Sequence, residues 1–150
     1  MSKITNVQFF KHYSKLTKGL LDNLTDEHLQ YRPHESMKTL GEELRHIADS
    51  KEIYLRAMTD GVGPSWKEKR MDPEIAISVE KLKAYYEDLD RRYDELFATK
   101  IDWAKEVPWT GMGDLDMEAC LDWVTHFECT HQGIVSVYLV GLNINYDIAG

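Results

Sequence analysis

The chain has 150 residues, with 26 acidic against 18 basic side chains and a formal net charge of −8. A composition 43% apolar and 29% charged excludes a disordered chain, and the length suffices for one domain with a sizeable core. The acidic balance, with no compensating run of Lys and Arg, excludes a nucleic-acid partner of the usual basic-faced kind.

The first segment with helical periodicity covers about residues 6–23. Phe10, Tyr13, Leu16 or Thr17, Leu20 and Leu24 recur by threes and fours. Thr25-Asp26-Glu27-His28 then opens a short turn that ends at Pro33. The second helix starts at a capping box, Thr39 with Glu42, ahead of the stripe Leu44, Ile47, Lys51, Tyr54 or Leu55, and Met58. Lys51 is the one polar break in that stripe, and its stem is expected to snorkel to water. Asp60-Gly61 ends the helix.

A third helix is expected from Ser78, with Leu82, Tyr85 or Tyr86, Leu89, Tyr93 and Leu96 or Phe97 on one face. After a loop holding Pro108, Gly111 and Gly113, Asp116 offers an N-cap for a fourth helix, with Met117, Cys120 or Leu121, Val124, Phe127 or Glu128, His131, Ile134 or Val135, and Tyr138 on one face. Four such stripes and no alternating strand pattern predict an all-α four-helix bundle, one domain over 1–150, with at most a short hairpin.

No basic-then-apolar leader is visible, and no run reaches the roughly 20 apolar residues of a membrane span. Cys120 and Cys129 lie nine residues apart on one helix, on opposite faces, and cannot bridge. A reducing, cytoplasmic setting away from membranes is the resulting expectation.

His46, His126 and His131 fall inside long amphipathic helices, whereas His12, His28 and His34 read as surface residues. His131 lies on the apolar stripe of the fourth helix. Glu128, three residues earlier, shares its side, giving the Glu-x-x-His spacing that bundle metal sites use. His126 is five residues before His131 and points about 140° away in a regular helix; a π-bulge would bring it round. His46 is placed to meet His131 across the core. Zinc or nickel accepts such nitrogens and oxygens, and a catalytic site takes three protein ligands and one open position. Cys129 reads as structural. Trp66, Trp103 and Trp109 fall in loops, as lids over a core or the lining of a substrate entrance. Gly61-Val62-Gly63 lacks the Lys-Ser or Lys-Thr of a phosphate loop.

Tyr31-Arg32-Pro33 followed by Thr39-Leu40-Gly41-Glu42-Glu43-Leu44-Arg45-His46-Ile47 resembles the second-helix signature of the DinB/YfiT-like superfamily. His131-Gln132-Gly133, then Tyr138-Leu139 and Leu142-Asn143-Ile144, resembles the same family's fourth helix and its ending. The resemblance implies an up-down four-helix bundle, commonly a homodimer. It further implies a divalent metal held by one histidine of helix two and two of helix four, which activates a low-molecular-weight thiol as in thiol-dependent transferases and isomerases; a metal-dependent thiol transferase or hydrolase is the resulting expectation. His46 and His131 match two of those ligands. Phe127 stands at the position of the third, and His126 is displaced from it by one residue.

Two functions follow. In one, His46, His131 and Glu128 or His126 hold zinc or nickel and activate a water or thiol. In the other, the metal is absent because Phe127 takes a ligand's place, and the bundle binds a small molecule or dimerises without catalysis.

Overall fold

The computed structural model describes residues 3–61, 72–108, 113 and 115–149. Among these, four long helices carry the fold: α1 (Lys3–Leu20), α2 (Leu40–Asp60), α3 (Val79–Phe97) and α4 (Met117–Leu142). Short 3-10 turns at Leu21–Asn23, His28–Gln30 and Pro73–Ile77 join or precede them. Two-residue strands β1 (Glu106–Val107) and β2 (Leu115–Asp116) pair antiparallel just before α4. The all-α bundle with at most a short hairpin is thus as the sequence implies.

Local chemistry explains the helix ends. Thr39 Oγ1 accepts from the Glu42 amide at 3.2 Å, and the Glu42 carboxylate accepts from the Thr39 amide at 2.8 Å. That reciprocal box starts α2, and Gly61 ends it in the left-handed region at φ 63°. Ser78 caps α3 through the Lys81 amide, and Asp116 caps α4 through the Ala119 amide at 2.7 Å.

Paired residues reveal the helix directions. Asn6 meets Glu118 and Thr17 meets Glu128, so α1 and α4 run parallel. The Tyr86 hydroxyl donates to Leu44 O and that of Tyr93 to Lys51 O, so α2 and α3 also run parallel. Lys51 against Glu128 and Glu43 against His131 make α2 and α4 antiparallel. The senses are therefore up, down, down, up, and a 3-10 turn (Pro73–Ile77) precedes α3. That turn presses on the start of α2: a Cβ on Gly41 would stand 1.7 Å from the carbonyl oxygen of Ala76.

Lys51 does not snorkel. It is fully buried, with Nζ 3.0 Å from Glu128 Oε2 and donating to Ser14 Oγ at 2.5 Å. Thr17 Oγ1 donates to Glu128 Oε1 at 2.7 Å, and Gln132 Nε2 donates to Thr17 Oγ1 at 2.8 Å. Lys51 lies mid-helix beneath α1, where a fixed carboxylate is nearer than water. A buried charge held this way is tolerated because it is paired and hydrogen-bonded. No helix among the described residues is long and apolar enough to cross a membrane.

Candidate functional site

Helical spacing creates a second polar centre on the α2–α4 seam. Glu43 and His46, three apart, share one side of α2; Phe127 and His131, four apart, share one side of α4. Because these helices are antiparallel, the two pairs meet. The His46 and His131 rings lie 4.9 Å apart, edge to face. Phe127 stacks on His131 at 4.1 Å with 26° between the planes, and meets His46 edge-on at 5.2 Å. His46, Phe127 and His131 are each half-buried.

His131 Nδ1 is hydrogen-bonded to Glu43 Oε1. The Glu43 side chain is 5% exposed, and Lys38 Nζ stands 4.0 Å from its other oxygen. Burial pushes the Glu43 carboxyl up. The hydrogen bond and charge of His131, with smaller help from Lys38 and His46, outweigh that and hold it below the usual carboxylate range.

His46 and His131 therefore face one another, as expected. Glu128 does not join them. Although one turn from His131, its carboxylate turns inward to Lys51, Ser14 and Thr17. His126 is exposed, 6.1 Å from the Trp123 ring, and α4 runs as one α-helix through this stretch. Trp103 is not at the centre either. Its carbonyl accepts from the Glu118 amide, thirteen residues or about 20 Å along α4 from His131. Trp66 and Trp109 lie outside the described residues. Burial raises the Cys129 thiol, with Glu128 adding to the effect, and pushes Cys120 up to about 11. A nucleophilic thiol needs the opposite shift.

The donor set can be tested against a divalent ion. Two imidazoles converge, Phe127 fills the third corner, and the nearby carboxylate is engaged by His131 itself. That leaves the centre one ligand short of the three a catalytic site takes. Among the described residues, no group of three His, Cys, Asp or Glu side chains is arranged to hold an ion. Glu43 is the residue that sequence reasoning missed. Its signal was Glu-x-x-His on α2, the same spacing noticed on α4.

The sequence matches the DinB superfamily over residues 10–135. The fold is similar to a DinB-like protein of Bacillus subtilis at 20% identity and TM-score 0.72, covering 93% of this chain and 92% of that one. It is also similar to a DinB-like protein of Bacillus cereus at 18% identity and TM-score 0.76, covering 97% and 94%. No curated protein matches the chain.

Proposed function

This chain belongs to the DinB superfamily, and we propose that its His46–His131 centre is a small-molecule site in which divalent-metal binding is weak. The observation that supports this is Phe127, whose ring lies against both imidazoles where the family resemblance puts a third ligand. A metal-dependent thiol transferase or hydrolase would need that ligand. Without it, the half-open imidazole pair retains the capacity to bind a low-molecular-weight thiol or another small polar molecule. Elemental analysis of protein purified without a histidine tag tests the reading. Zinc and nickel are expected far below stoichiometric, and about one equivalent of either would overturn it. Phe127→His should create a zinc site in a chelator-competition titration.

We also propose that α4 pairs the protein with a second copy. Its outer side leaves Trp123 42%, Val137 53% and Val140 81% exposed, apolar surface on one helix that a second copy can cover. In a two-fold dimer, one substitution strikes the interface twice. Light scattering should report a dimer at micromolar concentration and a monomer for Val140→Lys. A wild-type mass of one chain, unchanged on dilution, would refute the pairing.

A further inference from the structure

We infer that Glu43 is the positioning residue of the centre: its carboxylate keeps the His131 proton on Nδ1 and thereby presents Nε2 as a lone pair to the ligand. The inference rests on the reading that this centre is where the ligand binds.

An ionised carboxylate only accepts hydrogen bonds, so the ring nitrogen facing it must carry the hydrogen. In a neutral imidazole the other nitrogen is then an acceptor. Glu43 is suited to hold that role, being nearly buried and placed beside three cationic or imidazole groups, Lys38, His46 and His131. The ring has little freedom to escape. Phe127 lies flat against one face of His131, and His46 stands at its side. Turning the ring over would replace Nδ1 by a carbon and leave a buried carboxylate without its donor, a loss of the kind that costs most inside a protein.

A purely structural ion pair between Glu43 and Lys38 is the competing explanation. Lys38 is 51% exposed and 4.0 Å away, the kind of pair that contributes little. The commitment of Nδ1 also bears on ligand class. Nε2 offers an electron pair, so the centre suits an electron-pair acceptor, such as a thiol proton or a divalent cation. An anion without a proton to share finds no donor at that nitrogen. The same arrangement, a carboxylate behind a ligating histidine, fixes ring orientation and raises basicity at metal sites.

Long-range 15N–1H correlation spectra of His131 test this without any ligand. The wild type should show the Nδ1–H tautomer, and Glu43→Leu should move it to Nε2–H, the form imidazole side chains favour in water. Glu43→Gln, whose amide both donates and accepts, should let the two tautomers coexist, and it decides the matter if the leucine variant does not fold. A wild-type Nε2–H signature, or an unchanged pattern in both folded variants, would overturn the assignment.

A second arm uses zinc on the Phe127→His background. Adding Glu43→Gln there should weaken zinc binding by about 10–100-fold; tighter binding would show that Glu43 competes for His131 rather than supporting it. Failure of Phe127→His itself to take up zinc would count against the proposed function, while the tautomer spectra would still decide the role of Glu43.

Discussion

One turn of α4 separates two polar centres that follow different rules. Glu128 faces inward, where Lys51, Ser14 and Thr17 donate to its carboxylate and Gln132 in turn donates to Thr17. His131 faces the α2–α4 seam, where Glu43 holds one ring nitrogen and the ring stays 15% exposed. Both use a carboxylate and a basic partner drawn from α2 and α4. The first is closed and its charges are neutralised within the protein, which makes it an element of structure. The second leaves imidazole surface open beside a phenyl ring, the feature on which the proposed ligand site rests.

The largest effect should come from opening the closed centre. Lys51→Met leaves a buried carboxylate without its cation and should cost about 3–5 kcal/mol in urea unfolding. Lys51→Met with Glu128→Leu should be more stable than Lys51→Met alone, since the stranded charge is gone. Equal losses would break the distinction between the two centres.

A smaller, pH-dependent effect should mark the open one. The Glu43 carboxyl is depressed in the folded state from its ordinary 4.5. It therefore contributes stability that is fully present above about pH 4.5 and lost as the pH falls through the lower folded value. Glu43→Gln should lower Tm at pH 7, and its difference from wild type should shrink steadily below pH 4.5. A constant difference down to the acid transition would detach Glu43 from His131.

The smallest effect is expected for His46→Ala. A half-buried ring on the seam should cost no more than about 1 kcal/mol. A loss approaching that of Lys51→Met would mean that the seam is as structural as the interior.

The sequence carried local features well and cross-helix ones unevenly. Thr39 with Glu42, Ser78, Asp116 and Gly61 act within a few residues of themselves, so their caps were readable directly. The meeting of His46 and His131 was readable through the family pattern. The partner of Lys51 was not, because Glu128 is 77 residues away and a helical wheel shows which side a residue occupies without showing what faces it. Glu43 was hidden for a related reason. The adjacent Glu42 accounts for the capping box, and the partner of Glu43 lies across the seam, 88 residues on. The parallel course of α2 and α3 was equally invisible, since stripe spacing carries no direction.

The up, down, down, up order has a consequence for biosynthesis. α1 and α2 emerge early from the ribosome, yet Glu128, which neutralises Lys51 and satisfies Thr17, sits on the last helix. At about 5–20 residues per second, several seconds pass in which the nascent chain carries a lysine destined for the interior with no acid to meet it. Such a chain has reason to stay loosely collapsed and to complete its bundle only after α4 is released. Contacts between α1 and α4 span more than 100 residues, and long loops must close before they form. Ribosome-stalled chains ending before Met117 should accordingly remain protease-sensitive, and those long enough to expose α4 should become resistant in a single step.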